Sequence, residues 1–148
     1  MSGIARVETR PARRLWTGAA VAWTILILVL CFLPADWLGV AAVEEGFFRI
    51  PMPAPDKVVH FTLFAGFAVL WTLASWPRRA AVAVAAAGLA LAVGTELGQN
   101  LPIVARDGNL LDALADSLGV LAGATLAPVY LGRREAATAG RVSEQISS

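Results

Sequence analysis

The sequence predicts an all-α fold: an integral membrane bundle of four transmembrane helices, with both termini cytoplasmic. Three observations predict it. Of 148 residues, 57% are hydrophobic and 16% charged, with a mean hydropathy of +0.66; a soluble domain carries about 45–50% apolar and about 25% charged residues. Four long stretches are almost free of charge, and the basic residues segregate to one side of them. A compact soluble fold of this length lacks the polar surface to cover so much apolar material, which excludes a soluble enzyme. The same composition excludes intrinsic disorder. The formal net charge of +1 provides no general attraction for nucleic acid. A single cysteine, Cys31, excludes an intramolecular disulfide and a cysteine-rich zinc site.

Residues 1–14 read as a basic cytoplasmic segment, residues 15–131 as the four-helix domain, and residues 132–148 as a cytoplasmic tail expected to be disordered. The first helix is the uncharged run 15–33, closed by Pro34. It is longer than the roughly 7–15 apolar residues of a signal peptide, and Val40-Ala41-Ala42 lies well past Pro34 for a cleavage site. Leu30 before Cys31 does not fit a lipidation site, so Cys31 reads as a small buried apolar residue. The second helix, 58–75, holds one titratable residue, His60. The third, 80–97, is rich in Ala and Val and holds only Glu96. The fourth, 110–131, carries Asp112 and Asp116 in its first two turns. At about 1.5 Å rise per residue, each run reaches or approaches the ~30 Å hydrocarbon thickness.

The punctuation agrees. Trp76-Pro77-Arg78-Arg79, Leu101-Pro102 and Gly132-Arg133-Arg134 end the second, third and fourth runs. Trp16, Trp37 and Trp76 fall at interfaces, where an amphipathic ring is comfortable. The first loop, 34–56, contains the stiff run Pro51-Met52-Pro53-Ala54-Pro55. Arg6, Arg10, Arg13, Arg14, Arg78, Arg79, Arg133, Arg134 and Arg141 lie on one side, and Arg49, Lys57 and Arg106 on the other. Nine of the 12 basic residues on one side is the bias that places short loops in the cytoplasm. Both termini are therefore expected inside, and loops 34–56 and 99–109 outside. Topology accounts for the arginines without a nucleic-acid surface.

This orientation gathers the polar residues at the outer end. Asp56, Lys57 and His60 open the second helix, Glu96 and Gln99 close the third, Arg106 lies in the short outer loop, and Asp112 and Asp116 open the fourth. No acid or base is expected in the cytoplasmic half of the membrane. Asp56–His60 and Asp112–Asp116 are i, i+4 pairs, and Lys57–His60 and Glu96–Gln99 are i, i+3 pairs, so each pair shares a helix face. Those faces are expected to turn into the bundle, because a carboxylate facing mid-membrane lipid costs at least about 2.5–3.5 kcal/mol. Asp116 lies deepest, about 9 Å along the helix from Leu110. Gly119 and Gly123 continue its face as a G-x-x-x-G pair, and Gly94 and Gly98 form another beside Glu96. Together they predict close approach of the third and fourth helices below the charges.

Four carboxylates (Asp56, Glu96, Asp112, Asp116) face Lys57, Arg106 and His60. Like charges a few ångströms apart cannot all ionise at low dielectric, so either some carboxylates hold protons or a cation is present. A ligand site, a metal site and a proton relay are the functional readings; a polar network that pins the helices is the structural one.

Three pieces of sequence, Asp56-Lys57-Val58-Val59-His60, Glu96-Leu97-Gly98-Gln99, and Arg106 followed by Asp112, Asp116, Gly119 and Gly123, resemble the VanZ-like family of bacterial membrane proteins. The resemblance covers about residues 56–123 and rests on the ordered set, with a helix between the first two pieces. Asp116 stands where the family often has Asn, and Val104-Ala105 precede Arg106 where Pro-Gly is common. Neither departure removes a functional group, although Asp116 adds to the negative excess. The resemblance implies a multi-pass protein of the bacterial cytoplasmic membrane with an outward-facing polar site. The family's namesake is associated with resistance to the glycopeptide antibiotic teicoplanin, a phenotype that does not transfer to this chain.

Three function classes stay open. The first is recognition or modification of a cell-envelope molecule with an anionic head group, a lipid or a wall precursor, within the lipid bilayer. Lys57 and Arg106 would hold the anion, lined by Gln99, Asp56 and Asp116, with helix N-termini adding positive potential. The second is a metal-assisted hydrolase or transferase. His60, Glu96, Asp112 and Asp116 would hold a divalent cation, or His60, Glu96 and Asp112 would do acid–base work. The third is a structural subunit whose cluster only sets helix register. Ion transport is a weaker fit, because no titratable residue is expected along an inner half of the path.

Overall fold

The computed structural model describes residues 9–33, 55–75, 80–101, 104 and 108–147. They form four helices: α1 (Thr9–Phe32), α2 (Pro55–Ala74), α3 (Ala80–Gln99) and α4 (Leu110–Ser147), with no strand among the described residues. All four are long and apolar enough to cross a membrane. The proline-rich loop, Trp37, Trp76 and Arg106 lie outside the described residues.

Contacts at the helix ends make the bundle antiparallel from one helix to the next. Near the start of α1, Arg13 Nε donates to the Ala74 carbonyl at the end of α2, at 3.3 Å. At the opposite end Gln99 Nε2, on the last residue of α3, donates to the Cys31 carbonyl of α1, at 3.2 Å. Beside it, the Asn109 N–H before α4 donates to Glu96 of α3. One end of the bundle therefore gathers the C-termini of α1 and α3 with the N-termini of α2 and α4.

The core is a thin apolar column that includes Ile27, Phe64, Ala68, Ala92 and Val120. Cys31 belongs to it and is buried, as the sequence predicts. The opposite helix faces expose large apolar side chains, with Leu15 at 72%, Val82 at 77% and Leu126 at 66% exposure. In water each would forfeit about 25 cal/mol per Å² of apolar area. Against hydrocarbon there is no such penalty, so the polarity of the surface matches a bilayer.

The closest seam is α2 on α4. A Cβ on Gly119 would strike the Phe61 carbonyl oxygen and the Ala65 nitrogen, and one on Gly123 would lie 2.5 Å from the Ala65 carbonyl oxygen. Both contacts are backbone to backbone, so neither can relax by side-chain rotation. This corrects the expectation that the glycine pairs join the third and fourth helices. Gly119 and Gly123 receive α2, Gly94 has open space, and Gly98 faces the ring of Phe32 on α1. Instead α3 meets α4 at Gly88, whose missing Cβ leaves room for Val120. The α1–α2 contact is pinned by two indoles: Trp23 Nε1 donates to the Leu63 carbonyl at 2.8 Å, and Trp71 Nε1 to Thr24 Oγ1 at 3.0 Å.

Two helix limits differ from the sequence reading. Helix α1 begins at Thr9, ahead of the uncharged run, and takes Arg13 and Arg14 into its first turns. Helix α4 does not stop near Gly132; it continues to Ser147, where the sequence reading expected a disordered tail. The segment after Arg133 is rich in Ala, Glu and Arg and free of proline, so its intrinsic propensity is helical even though nothing apolar remains to bury. At 38 residues and about 1.5 Å rise per residue, α4 is about 57 Å long, so it extends well beyond a ~30 Å slab.

Candidate functional site

Local sequence rules place each polar group. Helix α2 opens Pro55-Asp56-Lys57. A proline in the first turn loses no hydrogen bond, and an acid there is favoured by the helix dipole. Helix α4 opens after Asn109, whose Oδ1 accepts the Leu111 N–H at 3.0 Å, an N-cap that fixes where the helix starts. Asp112 then falls in the first turn of α4 and Asp116 one turn deeper. The last turns of α3 bring Glu96 to the same end.

The side chains form two tiers. In the upper tier Lys57 Nζ bridges two carboxylates, Asp56 Oδ2 and Asp112 Oδ1, each at 2.5 Å, and so ties α2 to α4. In the lower tier His60 Nδ1 meets Asp116 Oδ1 at 2.9 Å, again across α2 and α4. Glu96 joins from α3: its Oε2 accepts the Asn109 N–H at 2.7 Å. Asn100 braces the same corner, donating from Nδ2 to the Glu96 carbonyl and accepting the Gly108 N–H at Oδ1. Side-chain exposure falls from 58% at Asp56, through 23% at Lys57 and 20% at His60, to zero at Asp116. The cluster thus grades from a solvent-facing rim at Asp56 to a buried floor at Asp116.

The floor is not self-satisfied. Glu96 and Asp116 each commit one oxygen to a hydrogen bond within the protein, while Glu96 Oε1 and Asp116 Oδ2 are buried with no hydrogen-bond partner among the described residues. Buried polar atoms are ordinarily paired, because leaving one unmade costs about 1–3 kcal/mol and more for a charged group. One donor atom from each of His60, Glu96 and Asp116 lies within 4.8 Å of the other two. A neutral imidazole with two carboxylates is a donor set for a divalent ion. The same set can also move a proton through His60.

Among the sequence candidates, the structure brings together Asp56, Lys57, His60, Glu96, Asp112 and Asp116. Gln99 is buried, and its amide is engaged by the Cys31 carbonyl, so it holds α3 against α1 at the edge of the cluster. Arg106, which the sequence reading gave to the anion together with Lys57, lies outside the described residues. Asp112 pairs with Lys57. Sequence reasoning missed Asn109 and Asn100, which orient Glu96 and the start of α4. Asn109-Leu110-Leu111-Asp112 carried the signal: a capping residue, then an acid three positions on, just before an apolar run.

No family model, curated protein or solved structure matches this chain.

Proposed function

We propose that this chain is a VanZ-like protein of the bacterial cytoplasmic membrane. Its termini are cytoplasmic, and its outward-facing pocket recognises or modifies an envelope molecule with an anionic head group, a lipid or a wall precursor. The observation that supports this most is the exposure gradient from Asp56 to Asp116. A polar path runs from the head-group level down to a buried floor, and an amphiphile can offer its head group there while its chains stay in lipid. The N-termini of α2 and α4 open onto the same end and add positive potential. Lys57 is already bridged by two carboxylates, so the anion has to meet a further cation at the floor.

Metal-assisted hydrolysis or group transfer on that head group is the second reading, favoured by His60 standing beside a carboxylate. A structural subunit whose cluster only sets helix register is the third reading; two buried carboxylate oxygens with no partner among the described residues favour the first two over it.

Two measurements test the proposal. Reporter fusions after Arg134 should be active only with a cytoplasmic reporter, and fusions near Ala54 only with an exported one; an exported C-terminus overturns the orientation. Native mass spectrometry of the purified chain with a polyprenyl phosphate should show one saturable lipid, bound more weakly by His60→Asn. Equal binding of the parent polyprenyl alcohol overturns the head-group reading.

A further inference from the structure

We infer that His60, Glu96 and Asp116 form a binding site for one divalent first-row transition ion of the zinc type. The site lies inside the pocket proposed above, yet it rests on donor geometry and not on what enters the pocket.

Three independent helices supply one donor each: His60 from α2, Glu96 from α3 and Asp116 from α4. Their donor atoms already lie within 4.8 Å of one another. An ion bound at about 2.1 Å holds its ligands roughly 3–4.2 Å apart, so the three donors need only small side-chain rotations to close on it. Each carboxylate is already held by one oxygen and has its second oxygen buried with no hydrogen-bond partner among the described residues. Those two oxygens are what the metal satisfies. Asp116 is fully buried and Glu96 is 8% exposed, so both carboxylates are largely withdrawn from bulk water.

Charge sets the valence. Two carboxylates with a neutral imidazole carry −2, and a divalent ion cancels it. Donor softness sets the class: an imidazole in the set favours zinc and its later first-row neighbours over calcium and magnesium, which prefer oxygen alone. Three protein donors leave coordination positions open. The Asn109 N–H donates an orienting hydrogen bond to Glu96 Oε2, the outer support that metal ligands ordinarily have, and His60 Nδ1, which now meets Asp116 Oδ1, would exchange that contact for the ion.

The test is a titration of the full chain, stripped with chelator in detergent, with Co²⁺ followed by its visible absorption. We expect one Co²⁺ per chain, displaced by Zn²⁺ but not by an equal concentration of Mg²⁺. Glu96→Gln and His60→Asn should each weaken binding at least tenfold, while Gly94→Ala, on the open face of α3, should leave it within twofold. Pulsed electron paramagnetic resonance of Mn²⁺ on the unmutated chain should report one imidazole nitrogen, so the result stands even if a variant fails to fold. No stoichiometric Co²⁺, or binding that neither Glu96→Gln nor His60→Asn alters, overturns the site. Metal binding without selection for the lipid phosphate leaves the site standing and overturns the head-group reading; phosphate-selective lipid binding by a chain that takes up no metal does the reverse.

Discussion

One helical turn separates two regions of opposite character. At Gly119 and Gly123, helices α2 and α4 touch backbone to backbone, beside the buried apolar side chains of Phe64 and Val120. At Asp116, a turn above, the same two helices are held by a histidine–carboxylate bond, and a buried oxygen has no hydrogen-bond partner among the described residues. The seam is complete without help, as dispersion packing between small residues requires in a bilayer that offers no hydrophobic drive between helices. The cluster is incomplete. The difference separates what holds the bundle together from what the bundle presents to a ligand.

The largest expected effect tests the seam. Gly119→Leu puts a branched side chain where even a Cβ strikes the Phe61 carbonyl. Overpacking typically costs about 1–3 kcal/mol, occasionally more, and a backbone obstacle belongs at the upper end. We expect the variant to be lost from the membrane fraction, measured by immunoblot against an unaltered chain. Full abundance with an unchanged thermal midpoint would mean that α2 and α4 do not meet here.

The cluster should respond in the opposite way. Glu96→Gln and Asp116→Asn keep the oxygen that accepts the Asn109 or His60 hydrogen bond and remove one buried negative charge. We expect both proteins to accumulate normally, with thermal midpoints equal to or above the parent, while divalent-ion affinity falls at least tenfold. A large loss of thermal stability in metal-free protein would assign the carboxylates to structure and erase the contrast between the regions.

Smaller effects sharpen the picture. Trp23→Phe removes the donor to the Leu63 carbonyl at the α1–α2 contact but keeps most of the ring. We expect destabilisation of about 1 kcal/mol, read from chemical or thermal unfolding in detergent, with metal affinity unchanged. The smallest effect is at Gly94→Ala. An added Cβ there meets nothing within 4 Å, so stability should stay within about 0.5 kcal/mol. Gly123→Ala, the same chemical change against the Ala65 carbonyl, should cost measurably more. Equal costs at the two positions would remove the seam's special status.

The spacing of polar residues made much of the site legible in advance. Asp56, Lys57, His60, Glu96, Asp112 and Asp116 were readable as one cluster, because helical period and alternating direction put them at one end. Pairing was less legible. The sequence offers Lys57 several carboxylates and Glu96 several donors, and only rotation of each helix about its axis selects Asp112 for the first and Asn109 for the second. The glycine pairs failed for the same reason: G-x-x-x-G marks a close approach without naming the partner, and Gly94 is not even in contact. The tail failed differently. Burial and propensity disagree after Arg133, and propensity prevailed.

By itself, the sequence determined the four helices long and apolar enough to cross a membrane and the bundle end at which the charges gather. These follow from one-dimensional quantities: run length against bilayer thickness, the sign of loop residues, and the period of 3.6. Only the tertiary structure decided that α2 lies against α4, that Trp23 and Trp71 bind α1 to α2, and that one oxygen each of Glu96 and Asp116 is buried with no partner among the described residues. Those facts depend on the azimuth of each helix and the fit of its neighbours. Azimuth is settled by packing many side chains at once, and no single residue's position in the chain encodes it.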